Sequence, residues 1–257
     1  NDSRKVTPGA IFIAVKGHDS DGHAFIGKAI GSGAAAIVYE DEEAMRTAAA
    51  GQPDAPVTLV KVADSRHAVA MMAANFFDNP SRKLTLVGIT GTNGKTTTTW
   101  VLAEFLRASG RKCGYITTVE VDTGARRFST GYTTPPLETL KGIFSEMEAN
   151  GLSDCVMEVS SHAIHQRRFG DTVFSGGAFT NLTEDHLDYH KTMEAYRDTK
   201  AELFSRCDKA VINLDDPYGP YMLEKAGCQT LTVSAHGKGQ LQAEDIRLHA
   251  DGVSYQA

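Results

Sequence analysis

The sequence has no apolar run long enough to span a membrane and no secretory-leader pattern at its start. Its four cysteines, Cys113, Cys155, Cys207 and Cys228, lie far apart. They lack the close pairs of a zinc site and the density of a disulfide framework, and they suit a reducing cytoplasm. Positive charge is not in excess. Lys and Arg number 26 against 32 Asp and Glu, and the net charge of -6 argues against a nucleic-acid partner held mainly by charge. No internal repeat or low-complexity tract is present. Nor is there an Asn-Lys-x-Asp guanine-reading sequence or a protein-kinase signature set. What remains is an ordinary globular composition, 41% apolar and 23% charged over 257 residues, enough for two domains.

The stretch from Val87 to Thr98 stands out from that background. Leu84 to Ile89 is an apolar run that reads as a buried strand. Gly91-Thr92-Asn93-Gly94-Lys95-Thr96-Thr97 follows. Then Trp100, Val101, Leu102, Phe105 and Leu106 recur at helical spacing until Gly110. Strand, glycine turn and helix N-terminus make a phosphate cradle, because glycines let backbone N–H groups converge on an anion and the helix dipole favours negative charge. Lys95 reaches terminal phosphates in such a loop, and Thr96 offers a hydroxyl to magnesium. The usual glycine five residues before Gly94 is replaced by Ile89. A plain glycine turn between strand and helix is the alternative. Without a guanine-reading motif, the loop points to ATP chemistry.

Residues 1–80 read as a small α/β domain and 81–257 as a second α/β domain with a mostly parallel sheet. In the first, strands are expected at 10–15, 34–39 and 57–62, and helices at 25–33 and 65–77. The polar loop Lys16 to His23 either holds a ligand or turns the chain. Asp78 to Arg82 reads as the linker. In the second, strands are expected at 113–119, 154–159, 173–180, 210–214 and 229–233. Helices are expected at 137–150, 192–206 and 219–225. Residues 243–257 look like the start of more β structure. The abrupt opening and unclosed end give the expectation of a fragment.

Ligands in parallel α/β sheets collect at the carboxyl ends of strands. Four polar clusters fall there or lead into a helix: Thr133-Thr134-Pro135, Glu158-Val159-Ser160-Ser161-His162, Asn181 to His190, and Asn213 to Asp216. Taken singly, each has a structural reading. Glu158 could face water at a strand end, and His162 could be a satisfied core histidine. Asp185 and Asp188 could cap helices, with His186 and His190 on a solvated face. Lys200 reads from spacing alone as an exposed helix lysine.

At these residues the pattern resembles the Mur ligase family of ATP-dependent amide-forming enzymes. The motifs are Gly91 to Thr97, Thr133-Thr134-Pro135, Glu158 to His162 with Gln166 and Arg168, and Thr180-Asn181-Leu182 through Asp185-His186-Leu187-Asp188-Tyr189-His190. Asp2-Ser3-Arg4, Pro8-Gly9 and Asp21-Gly22-His23 extend the likeness to the N-terminal region. The tripeptide-forming branch fits best.

The resemblance implies a UDP-substrate domain, an ATP domain and a third domain that this chain lacks. It implies ATP and Mg2+ at Gly91, Thr92, Asn93, Gly94, Lys95, Thr96 and Thr97, with Asn213 near the nucleotide. It assigns metal contacts to Thr96, Glu158, His186 and a carbamylated Lys200, and catalytic roles to Lys95, Glu158, His186 and Lys200. Thr133, Thr134, Ser160, Gln166 and Arg168 would meet a UDP-N-acetylmuramoyl-dipeptide, and Ser3, His18, Asp19 and Ser20 its uridine end. The implied product carries an added diamino acid, meso-diaminopimelate or L-lysine, made by a cytoplasmic monomer. A folylpolyglutamate-synthetase-like ligase and a non-catalytic UDP-muropeptide-binding module are the competing readings. The chain alone is expected to bind weakly and turn over little.

Overall fold

The structure is a computed structural model describing residues 2–17, 20–51, 55–237 and 239–256. It divides into two compact units, residues 1–73 and 74–257.

The first unit is a three-stranded parallel sheet in the order β1 (Ile11–Ile13), β2 (Ala36–Tyr39), β3 (Thr58–Lys61). Helices α1 (Ile26–Gly31), α2 (Glu42–Ala49) and α3 (Ser65–Phe76) accompany it. Phe12, Ile37 and Tyr39 from the sheet pack on Ile26, Ala29, Ile30 and Met45 from α1 and α2. Sequence periodicity does not reveal α2, because Met45 is its one buried residue. Its capping explains it instead. The Asp41 side chain accepts from Ala44 N–H, and Glu42 and Glu43 occupy the first turn. His23 is a buried structural histidine. Its Nδ1 lies 2.6 Å from Asp21 Oδ1, and its Nε2 accepts from the Glu40 and Asp41 amides at 3.2 Å each.

The second unit is built on a nine-stranded sheet. Its strands in chain order are β4 (Thr85–Thr90), β5 (Cys113–Ile116), β6 (Val121–Asp122), β7 (Arg127–Phe128), β8 (Asp154–Glu158), β9 (Gly176–Phe179), β10 (Lys209–Asn213), β11 (Gln229–Ser234) and β12 (Leu241–Gln242). The spatial order is β12-β11-β10-β9-β4-β8-β5-β6-β7, parallel from β12 to β5, with β6 and β7 antiparallel. The two-residue strands β6 and β7 are too short to show a period in sequence. Its helices are α4 (Lys95–Ala108), α5 (Leu137–Ala149), α6 (Ser161–His165), α7 (Leu187–His190), α8 (Met193–Ala201) and α9 (Gly219–Lys225). β13 (Glu244–His249) and β14 (Gly252–Gln256) form a separate antiparallel hairpin.

Two cores sandwich this sheet. Ala103 of α4, backed by Leu102 and Leu106, packs on Ile89, Tyr115 and Val156. Leu140, Ile143, Phe144 and Met147 of α5 pack with Leu86, Met157 and Phe174 in the other core. The inward spacing of α5 is helical, and Gly151 at φ +73° ends it, with Leu152 N–H bonding Met147 O. The spacing of α4 predicts one apolar stripe; the structure splits it. Leu102 and Leu106 point inward, while Trp100, Val101 and Phe105 are 51%, 54% and 68% exposed. The expected helix at 192–206 ends at Ala201 and resumes as a 3-10 turn at Phe204–Arg206. The expected strand at 113–119 stops at Ile116, because Thr117 Oγ1 donates to Glu120 O and accepts the Glu120 amide, closing a turn.

Candidate active site

β4 ends at Thr90 and α4 begins at Lys95, so the glycine loop stands at the carboxyl edge of the central strand. Gly91 sits at φ +146°, and a methyl there would lie 1.9 Å from Thr180 Oγ1 and 3.0 Å from Asn181 O. No side chain fits that position. The loop is clasped by the segment after β9. Thr92 N–H donates to Asn181 O and Asn93 N–H to Asn181 Oδ1, both at 2.9 Å. Asn181 Nδ2 and Thr180 Oγ1 donate to Asn93 O at 3.1 and 2.7 Å, and Thr183 N–H donates to Thr92 Oγ1 at 3.0 Å. The amides of Thr92 and Asn93 therefore serve the loop's shape, where the sequence reading gave them to phosphate. The first intrahelical bond runs from Thr98 N–H to Gly94 O. The amides of Gly94, Lys95, Thr96 and Thr97 lie outside the helix ladder and form the open end of the cradle.

Two lysines converge on one carbonyl. Lys95 Nζ donates to Gly91 O at 3.0 Å and Thr92 O at 2.7 Å, and Lys200 Nζ donates to the same Gly91 O at 2.8 Å. Lys200 is 2% exposed and stands 4.6 Å over the Tyr196 ring, which corrects the exposed-lysine reading from spacing. Burial, and then the charge of Lys95, bring its amine down to about 7 against the pull of Asp185. Burial lowers Lys95 too, opposed by Glu158 and Asp185.

Glu158 is 1% exposed, so it does not face water. Its Oε1 accepts from Thr96 Oγ1 at 2.7 Å and Thr118 N–H at 2.9 Å, and its Oε2 accepts from Thr118 Oγ1 at 3.1 Å. Thr118 is absent from the sequence candidates. Had β5 been read to end at Ile116, the rule for strand carboxyl ends would have found it. Its hydroxyl also lies 2.9 Å from Thr133 Oγ1. Thr134 Oγ1 is buried, donating to Glu158 O at 2.9 Å and accepting Ser160 N–H at 3.1 Å. Ser160 Oγ caps α6 by accepting Ala163 N–H.

Arg168 Nε and one terminal nitrogen both donate to Gln166 Oε1, at 3.0 and 2.7 Å, and the other donates to Thr134 O at 2.7 Å. Three of its five N–H groups are thereby committed within the protein. Burial lowers its pKa from the ordinary arginine value.

His186 adopts φ +53° at the start of α7, and its exposed ring meets His162 edge-on at 4.9 Å. His190 is buried instead, 2.9 Å from Ser161 Oγ, and burial pushes it down to about 4. The two do not share a solvated face. Among the described residues, no three His, Cys, Asp or Glu side chains converge as a metal-ligand set. Asn213 lies behind the loop, donating to Thr180 O at 2.8 Å and accepting Asp215 N–H at 3.0 Å. Asp216 is buried and accepts the Leu182 and Tyr218 amides.

In the first unit, Ser3 and Ser20 line one cavity of about 530 Å³ together with Asp2, Arg4, Phe25 and Lys28. His18 and Asp19 lie outside the described residues.

A parallel sheet with a glycine loop between its central strand and a helix, a lysine folded over that loop and a threonine beside a buried carboxylate define a phosphate-loop α/β protein. Comparison narrows the class. The Mur ligase middle domain matches residues 89–257, and the catalytic domain of the Mur ligase family matches residues 1–77. The chain belongs to the Mur ligase family. It is 42% identical over 254 residues to UDP-N-acetylmuramoyl-L-alanyl-D-glutamate--2,6-diaminopimelate ligase 1 of Clostridium acetobutylicum, covering 99% of this chain and 51% of that one. It is 41% identical to the Geobacillus kaustophilus ligase of that name, with coverage of 99% and 52%. A solved structure of such a ligase superposes with a TM-score of 0.80 at 27% identity, covering 99% of this chain and 52% of that one. The chain spans about half the length of the curated relatives it matches.

Proposed function

We propose that this chain carries the nucleotide site and the UDP-substrate site of an ATP-dependent amide ligase of peptidoglycan precursor synthesis. The reaction adds a diamino acid, 2,6-diaminopimelate by the names of its relatives, to UDP-N-acetylmuramoyl-L-alanyl-D-glutamate. Residues 1–80 hold the uridine end and residues 81–257 hold ATP and the reacting carboxylate. The observation that carries this reading is the convergence of Lys95 and Lys200 on Gly91 O, beside a Thr96 hydroxyl bonded to buried Glu158.

The donor set fits magnesium in part. Thr96 and Glu158 offer the hard oxygens that Mg2+ prefers, and one or two carboxylates suffice because the ion keeps several waters. Lys200 fits only once it is no longer a cation. A buried amine brought down to about 7 is neutral in a large fraction of molecules near pH 7, and the neutral amine is the form that adds carbon dioxide. The carbamate so formed is a carboxylate-like oxygen donor. The family resemblance adds His186, whose ring meets His162 in this structure, as a further contact. When bound, Mg2+ supplies charge neutralisation to the phosphates of ATP.

The residues of this chain do the rest. The helix-end amides from Gly94 to Thr97 and the Lys95 ammonium hold the phosphates and stabilise the charge that builds on the transferring phosphoryl group. The two N–H groups of Arg168 not committed to Gln166 and Thr134 face the substrate, with Thr133, Ser160 and Gln166 beside it. The acceptor carboxylate attacks the γ-phosphate, giving an acyl phosphate and ADP. The incoming amine then displaces phosphate and forms the amide. Ser3 and Ser20, with Arg4, Lys28 and the Phe25 ring, offer polar, cationic and aromatic surfaces suited to a uridine diphosphate. This reading assigns the reaction to the cytoplasm.

The test is an amide-ligation assay on the full-length polypeptide with UDP-N-acetylmuramoyl-L-alanyl-D-glutamate, ATP and Mg2+. Meso-diaminopimelate and L-lysine are compared while phosphate release is followed. Release that needs both the muramoyl-dipeptide and one diamino acid is the expected result. No release with either acceptor overturns the reading and turns attention to folate substrates, then to a binding module.

A further inference from the structure

We infer that Thr118 is a positioning residue whose hydroxyl couples Glu158 to Thr133, so that the state of the carboxylate sets what Thr133 offers to the acceptor substrate. The inference rests on the functional reading above and adds a residue and a coupling to it.

The turn closed by Thr117 and Glu120 fixes Thr118 at the carboxyl end of β5. There its amide lies 2.9 Å from Glu158 Oε1, and its Oγ1 lies 3.1 Å from Glu158 Oε2 and 2.9 Å from Thr133 Oγ1. A threonine hydroxyl has one proton and two lone pairs, and a carboxylate can only accept. The Thr118 contact to Glu158 therefore uses the Thr118 proton. The contact to Thr133 also has Thr118 as its donor, so the one proton serves Glu158 or Thr133 and not both. While it serves Glu158, Thr133 Oγ1 is without that donor and its own proton is not steered outward.

Donation to Thr133 is equally well formed, at 2.9 Å. When the charge of Glu158 is engaged by a cation held with Thr96, Oε2 is a weaker acceptor for Thr118. The Thr118 proton turns to Thr133, which accepts it and points its own proton outward. Thr118 thus has one donor for two acceptors, and Glu158 selects between them. The second state suits a substrate rich in anionic oxygens. The cation and the acceptor substrate should therefore bind with positive coupling, and linkage makes the effect mutual.

The experiment is a calorimetric titration of UDP-N-acetylmuramoyl-L-alanyl-D-glutamate into the protein, with and without Mg2+ and in the absence of nucleotide. Wild type, Thr118→Val and Thr118→Ser are compared, with unfolding midpoints as a check on the fold. Valine keeps the shape and the backbone N–H bond and removes the hydroxyl. Adding Mg2+ should tighten binding to wild type by roughly three- to tenfold, the worth of one hydrogen bond. Thr118→Val should bind the substrate and lose that tightening, and Thr118→Ser should regain it. Thr118→Ala reads the same loss if the valine variant does not fold. Equal tightening in wild type and the hydroxyl-free variant, or none in wild type, overturns the coupling and leaves the functional reading standing. A wild-type protein that does not bind the UDP-substrate overturns both.

Discussion

Gly91→Ala is the substitution for which the structure sets the magnitude most closely. The added methyl meets Thr180 Oγ1 at 1.9 Å and the Asn181 backbone at 3.0 and 3.1 Å. Thr180 can rotate away only by abandoning its 2.7 Å bond to Asn93 O, and the Asn181 backbone cannot rotate at all. Overpacking of this kind costs about 1–3 kcal/mol. Holding a non-glycine residue at φ +146° costs a further 1–3 kcal/mol, roughly. The sum, about 2–6 kcal/mol, is a large part of a domain's usual 5–15 kcal/mol or so. The chain will either lose that stability or relieve it by moving the loop, which also moves Gly91 O away from both lysines. Urea unfolding measures the first outcome, and titration with a fluorescent ATP analogue measures the second. A double-mutant cycle separates the causes. Thr180→Ala removes the atom at 1.9 Å, so the double variant should recover the steric part and keep the backbone part. Unchanged stability and nucleotide affinity in Gly91→Ala, or strict additivity in the cycle, would refute the argument.

Lys200→Met should alter the pH dependence of stability. The folded amine titrates near 7 and an unfolded lysine near 10, so between those values the unfolded chain binds more protons and stability rises with pH. That rise, up to about 4 kcal/mol from this group, should be missing from the variant in urea unfolding at pH 7 to 10 in carbon-dioxide-free buffer. Lys141→Met should destabilise by about 1–3 kcal/mol. It leaves Ser81 Oγ, Thr172 Oγ1 and the half-exposed Asp171 carboxylate without the ammonium that now bonds all three, and thermal unfolding checks it. Asn213→Ala removes the donor to Thr180 O and should weaken ATP binding by roughly three- to tenfold. UDP-substrate affinity measured without nucleotide should stay the same, and an equal fall in both would contradict it.

The legible parts of the fold are those where neighbours in sequence carry the signal. β4 and α4 are readable because a mostly apolar strand, two glycines and a helical period follow one another within 25 residues of chain. α2 escapes because polar capping defines it, and β6 and β7 because two residues make no period. Lys200 is the sharper case. Its helix has an ordinary polar composition, and only packing against Gly91, far away in the chain, makes its amine a buried one. Burial set by distant partners leaves no local trace. The resemblance to the Mur ligases singled out Lys200 where spacing alone did not. Thr118 had a local trace, a polar residue after a strand, and was lost to a strand end drawn three residues too far.

The polar contacts at the sheet's carboxyl edge run sideways, in the order of the strands. Asn213, at the end of β10, holds Thr180, after β9. Thr180 and Asn181 hold Asn93, after β4. Thr96, at the start of the following helix, holds Glu158 on β8, and Glu158 holds Thr118 after β5, which reaches Thr133. Strands β10, β9, β4, β8 and β5 are neighbours in that order, so each loop reaches only the loops beside it. Such an arrangement keeps the effect of a substitution local unless the intervening links are rigid. Gly91 and Glu158 are the links with least freedom, one fixed by a backbone conformation that excludes a side chain and the other by burial with three hydrogen bonds on its carboxylate. On the proposed function, nucleotide on the β9–β4 side and acceptor on the β8–β5 side would communicate through them. On that reading a hydroxyl on Thr118, bonded to Glu158 on one side and Thr133 on the other, would make the acceptor's affinity depend on what Glu158 holds.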